Sequence, residues 1–146
     1  MFAALDISTS ALSAQRMRLN VIASNMANLS SQRNENGEIA PYQAKFPIFS
    51  TDSTVAGGDK RGDGAGPVGV KVASIETETK EPLYRYQPNH PLAIKDGPKQ
   101  GYVAYPNVDM TREMVDAMEA TRAYEANVGV MEMTKSMARQ TLRILG

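Results

Sequence analysis

The chain contains no cysteine and no tryptophan, and only 6 % of it is aromatic. Without cysteine there are no disulfides, no thiolate nucleophile and no Cys-based metal site. Charge of one sign is also missing: 16 basic residues balance 16 acidic ones. A nucleic-acid binder needs a basic surplus to neutralise phosphates, so nucleic acid is not an expected partner. Neutrality lowers mutual repulsion and so favours close self-association. No apolar run reaches the roughly 18 residues of a membrane-spanning helix, so no membrane insertion is expected. Met1 to Leu12 lacks a basic n-region followed by an apolar stretch, so no secretory signal is expected there. On that reading, a protein that leaves the cytoplasm uses a route without a cleaved signal.

Catalytic signals are scarce too. His90, the single histidine, stands in Asn89-His90-Pro91 with no Cys or carboxylate cluster around it; imidazole catalysis needs a positioned partner, so a turn or surface role is expected. The glycines of 57–66 are not followed by Gly-Lys-Ser/Thr and do not form a phosphate loop. The carboxylates show no pairing suited to acid–base work. The expectation is therefore no catalytic residue, no cofactor, no metal and no enzyme activity.

What is abundant is helical patterning at the two ends. From Asp109 to Leu145 one face reads Met114, Ala117, Thr121, Tyr124, Val128, Met131, Lys135, Ala138, Leu142, Leu145, alternating steps of three and four as in a coiled-coil seam. Asp109 or Thr111 can cap this helix, Glu113 and Asp116 complement its positive end, and Arg139 and Arg143 its negative end. Its length would be roughly 55 Å, too long for a compact domain of this size without a partner along it. Near the N-terminus, Leu5, Leu12, Leu19 and Met26 fall seven apart, with Ala4, Ala11, Ala14, Ala23 and Ala27 allowing close helix approach. Asp6, Ser8 and Ser10 are candidate N-caps, Arg16, Arg18 and Asn20 lie off the seam, and this helix should end near Ser30-Ser31, before a turn at Asn34 to Gly37.

Between the helices lie all eight prolines and nine of the eleven glycines. Such a segment disfavours long helices. Tyr42 to Phe49 and Val68 to Thr79 read as extended, the latter from the alternation of Val68, Val70 and Val72, and Leu83, Tyr84 and Tyr86 read as a third short strand. Glu76 to Glu81 reads as a solvated edge that Lys80 protects from pairing. The Gly-rich 51–67 stretch should be a mobile loop in a single chain. The fold class is thus α+β, mainly α: N- and C-terminal helices paired as a coiled coil around a small Pro/Gly-rich β/loop region. Three segments follow: 1–33, 34–108 and 109–146. Nine methionines add adaptable apolar surface.

Ser10 through Asn28, with Asn25 and Asn28 as its Asn-x-x-Asn, resembles the N-terminal signature of the bacterial flagellar rod, hook and hook-associated axial proteins. His90-Pro91-Leu92-Ala93, Gly101-Tyr102-Val103-Ala104-Tyr105-Pro106-Asn107-Val108, Glu113-Met114-Val115, Ala120 to Val128 and Thr134-Lys135-Ser136-Met137 resemble the proximal-rod branch of that family. The chain is also short enough, lacking the large inserted domains of distal rod and hook subunits. The resemblance implies a structural subunit of the basal-body rod. Its terminal helices would polymerise into a tube that encloses the export channel and transmits torque. It implies export through the flagellar type III apparatus and a place in the rod as it crosses the periplasm. The implied partners are copies of itself, other proximal and distal rod proteins, and the export-gate or MS-ring side. Assembly residues would be Leu5, Leu12, Leu19, Asn25, Met26, Asn28, Met114, Thr121, Tyr124, Val128, Met131, Lys135, Leu142 and Leu145, with Asn25 and Asn28 at the end of the first helix. Two other readings stand beside it. One is a secreted coiled-coil interaction module, which would give a defined small complex. The other is a different short proximal rod protein, against which the Gly101 to Val108 stretch argues.

Overall fold

A computed structural model describes residues 2–33, 37–55 and 68–145; residues 34–36 of the expected turn, 56–67 of the expected loop and the Leu145 side chain lie outside the described residues. The order is α1 (Phe2–Ala27), β1 (Lys45–Asp52), β2 (Gly69–Thr77), β3 (Leu83–Tyr86), β4 (Tyr102–Tyr105) and α2 (Met110–Leu145). The class is α+β.

Helix α1 contains neither Pro nor Gly across its 26 residues. It begins at Phe2, not at a cap among Asp6, Ser8 and Ser10, which lie inside it. Two hydroxyls there bond back to the preceding turn, Thr9 Oγ1 to the Leu5 carbonyl (2.8 Å) and Ser10 Oγ to that of Ile7 (2.7 Å), a local bond that lets such residues sit mid-helix. The helix stops at Ala27, a little before the expected end, and Asn28 turns its side-chain amide back onto the Ser24 carbonyl at 2.9 Å. Helix α2 starts where a cap was expected: Asp109 Oδ1 accepts from the amides of Thr111 (2.9 Å) and Arg112 (3.4 Å).

β1 and β2 pair antiparallel from Lys45↔Thr77 to Asp52↔Gly69, with a bulge that leaves Ala73 without a partner. Helix α1 lies on this pair. At Gly69 a Cβ would come within 2.8 Å of Ser10 Oγ, so only glycine lets the helix approach this closely; the next amide, that of Val70, donates to the same Ser10 Oγ at 3.1 Å. β3 and β4 form a second antiparallel pair, Leu83↔Tyr105 to Tyr86↔Tyr102, which packs on neither helix. Strand β4 was not among the expected strands. At its start Gly101 has φ +80°, and a Cβ there would meet the Tyr86 ring at 2.9 Å. Left-handed backbone and a ring in van der Waals contact both require glycine at that position.

The helices run antiparallel. Asn25 meets Glu113, Arg18 bridges Asp116 (3.0 Å) and Glu119 (3.4 Å), and Leu12 shares a groove with Tyr124. From these pairings, α1 runs out about 15 Å beyond Tyr124, leaving roughly the last ten residues of α2 as an overhang. The core is thin: Ala14, Val21, Ile22, Ala44, Val103 and Ala120 are its buried apolar residues. The chain exposes 10509 Å², against about 7,400 Å² for a compact monomer of 15.9 kDa.

Candidate functional site

The buried and half-buried positions of α2 are Glu113, Asp116, Ala117, Ala120, Ala123, Asn127, Val128, Met131, Thr134 and Ala138. Four of them, Ala117, Val128, Met131 and Ala138, belong to the seam read in the sequence, and each of the others stands one residue before a seam position. Ala120 is fully buried. Of the expected assembly residues, Met114, Thr121, Tyr124, Lys135 and Leu142 are exposed in the single chain, and Val128 and Met131 are half-buried. On α1, Leu5, Leu12, Leu19, Met26 and Asn28 are half-buried and Asn25 is buried. Arg18 does not point away: it faces the α2 carboxylates. The structure therefore brings Asn25 against α2 and leaves much of the large apolar seam open. A second uncovered face, unread in the sequence, carries Val115, Met118, Val130, Met133, Met137 and Ile144. α2 thus exposes apolar residues on more than one face, more than a single covering helix buries.

Asn25 is the polar centre of the molecule, 2 % exposed. Its Oδ1 accepts from the Lys45 amide (2.9 Å) and from the Tyr42 hydroxyl (3.0 Å). Its Nδ2 donates to the Lys45 carbonyl (2.8 Å) and to both Glu113 oxygens (3.2 Å each). The side-chain amide thus pairs with Lys45 as a neighbouring strand would, and its remaining donor holds the first turn of α2. A flipped amide would set donor against donor, so only one orientation satisfies all partners. Aspartate would place a second carboxylate against Glu113. One residue so ties the end of α1, the start of β1 and the start of α2. Asn28, the other asparagine of the pair, stays on its own helix end.

Burial, above all, pushes the Glu113 carboxyl above its ordinary value of 4.5; the Asn25 hydrogen bond pulls it down less than that, and the Asp116 charge adds to the rise. In the folded chain Glu113 therefore binds its proton at a higher pH than in the unfolded chain. Its contribution to stability rises as pH falls through the raised value and levels off below the ordinary one. We expect Glu113→Gln, which keeps an acceptor for Asn25, to be at least as stable as the parent at neutral pH. The parent should gain on the variant as pH falls toward about 5. Urea unfolding at both pH values checks this; a stability gap between the two that does not change with pH would contradict it.

Beside the junction, α1, β1 and α2 enclose an open cleft of about 360 Å³ walled by Val21, Ile22, Phe46, Phe49 and Val108. Among the described residues no three His, Asp or Glu side chains cluster to hold a metal ion, and no described helix is long and apolar enough to cross a membrane. His90 sits in a turn, where its Nδ1 accepts from the Leu92 amide at 3.2 Å. Sequence reasoning missed Arg18, Tyr42 and Glu113 as partners in the helix junction. No sequence signal marks them, because the partners they join stand 17 to 101 positions apart.

Comparison with known proteins places both ends of the chain in one group. Residues 5–31 match the family described as flagella basal body rod protein, and residues 99–144 match the family described as flagellar basal body rod FlgEFG protein C-terminal. The chain is 40 % identical to the flagellar basal-body rod protein FlgC of Borreliella burgdorferi, over 99 % of this chain and 97 % of that one. It is 46 % identical to FlgC of Salmonella typhimurium, over 95 % and 93 % of the two chains. It is 39 % identical to FlgC of Bacillus subtilis, over 98 % and 97 %.

Proposed function

From a chain that belongs to the FlgC family of flagellar basal-body rod proteins we infer a structural subunit of the flagellar basal-body rod. The observation that carries the mechanism is the surface. The single chain exposes about 3,000 Å² more than a compact monomer would. Obligate partners bury areas of that size.

The assembly reading follows. Residues 1–33 and 109–146 form one layer and polymerise as a coiled coil, while 34–108 stands outside that layer and adjusts contacts between neighbours. Leu5, Leu12, Leu19, Met26, Met114, Thr121, Tyr124, Val128, Met131, Lys135, Leu142 and Leu145 meet neighbouring copies or other rod proteins, and Asn25 fixes the geometry from which the helices project. Identical head-to-tail contacts generate a helical tube, which encloses an export channel and transmits torque. Partners are copies of the chain, adjacent rod proteins and the export-gate or MS-ring side, with neither nucleic acid nor membrane insertion and no catalysis. The subunit is exported without a cleaved signal by the flagellar type III apparatus and works where the rod crosses the periplasm. Its free helix ends order on assembly, where apolar burial offsets the entropy of ordering.

A tagged chain should co-purify with isolated basal bodies, and cells lacking the gene should be non-motile and without hooks. A deletion strain that swims, or a tag recovered only as free protein, would sink this reading.

A further inference from the structure

Four of the six tyrosines sit on the small β3–β4 hairpin. Its two faces differ. Val103 and Tyr105 point inward, with Val103 buried, the Tyr105 hydroxyl donating to Gln87 (3.0 Å) and Arg85 lying 5.1 Å from the Tyr105 ring centre. On the other face Tyr84, Tyr86 and Tyr102 stand open to solvent, Tyr86 at 65 % exposure. These rings are nevertheless held in place. Tyr86 packs edge-on to Tyr102 with 5.3 Å between centres. It also rests on Gly101, and Lys99 Nζ caps the Tyr84 ring at 3.5 Å. The loop behind them is pinned by backbone bonds from Gln87 to Gly101 and from Ile94 to Tyr102, each 2.9 Å. A two-stranded sheet is marginal on its own in water. Exposed, pre-set tyrosines beside cations have the chemistry of binding hot spots.

We propose that this tyrosine face docks onto the first half of α2 of a second copy, around Val115, Met118 and Arg122. Val115 and Met118 are exposed in the single chain, as is Arg122, and neither hairpin strand packs on α2 within the chain. Thioether sulfur sits well at tyrosine ring edges, and guanidinium stacks on tyrosine faces. Charge also matches: Lys99, which caps the Tyr84 ring on this face, meets the exposed Glu125 two turns beyond Met118 on the helix. The two surfaces differ, so the contact is heterologous and continues from copy to copy. Three partly exposed rings bring roughly 300 Å², too little to hold free chains together. They set the spacing of copies already joined through their helices. The inference therefore rests on the rod reading and must be tested in the assembled rod.

The absence of native cysteine makes cross-linking clean. In basal bodies from cells making only the Tyr86→Cys/Met118→Cys chain, mild oxidation should yield a ladder of dimers, trimers and larger adducts, and neither single variant should. The pair Lys99→Cys/Glu125→Cys, which keeps the rings and Met118, should give the same ladder even where the first pair assembles poorly. Monomers alone from both pairs would overturn the docking, and dimers alone would overturn its head-to-tail character. Variants present in basal bodies but unlinked leave the rod reading standing, whereas an unaltered tagged chain absent from basal bodies removes it.

Discussion

Replacing Asn25 by alanine is expected to destabilise the folded chain by about 3 kcal/mol, more than a hundredfold in the folding equilibrium. The residue is fully engaged, so the change leaves the Lys45 amide, the Lys45 carbonyl and the Glu113 carboxylate without their partner at once. A buried group that loses its partner bears the desolvation cost of about 1–3 kcal/mol, and a charged one bears more. Asn25→Asp should be at least as damaging at neutral pH, since its carboxylate would face that of Glu113. It should recover partly in acid, where one of the two carboxyls takes up a proton. Urea unfolding followed by helical circular dichroism reads both effects. A cost below about 1 kcal/mol for Asn25→Ala would mean that water replaces the amide easily, and the junction would not be the anchor of the fold.

Leu142→Asp is expected to leave the isolated chain intact and to abolish motility. Leu142 is 72 % exposed in the single chain, so its replacement should shift stability by no more than about 0.5 kcal/mol. In an assembly that covers the α2 overhang, each subunit would lose about 2 kcal/mol of apolar burial and would have to desolvate a charge as well. The defect recurs at every subunit. Leu142→Met keeps volume and apolarity and should swim normally. Met131→Asp and Leu12→Asp strike half-buried positions and should weaken both the chain and the assembly. The measurement is swimming speed together with the amount of variant exported. Normal swimming of Leu142→Asp would show that the overhang is not an interface. Loss of export equal to the loss of assembly would show that the same residues serve both steps.

The parts of the fold legible in the sequence are those set by local chemistry. α2 is long, free of proline and opened by Asp109, and it was readable at nearly its observed length. Strands β2 and β3 followed from the alternation of Val70 and Val72 and from Leu83, Tyr84 and Tyr86. Features set by distant partners were not legible. β4 is only four residues long and exists because β3 lies beside it. Asn25 reads as an ordinary polar residue near a helix end, since its partners stand 20 and 88 positions away. The face of α2 turned toward the chain was legible in part: the seam positions Ala117, Val128, Met131 and Ala138 are half-buried, while the fully buried Ala120 stands beside the seam, where counting large apolar side chains does not find it. Ser10 reads as a cap because the hydroxyl that can cap a helix can also bond back within one, as it does to the Ile7 carbonyl.

The strongest tie between the two helices, Asn25 to Glu113, lies near one end of the pair, and that bears on the order in which the pair closes. Once Asn25 has met Glu113, each further contact between α1 and α2 closes a loop only slightly larger than the last. On that argument the pair is expected to zip away from the junction, with the tip of α2 meeting α1 last or not at all. A chain closed in that order would offer a fixed junction at one end and an open helix tip at the other. In the proposed assembly such a tip would find its place among neighbours without the junction having to reopen.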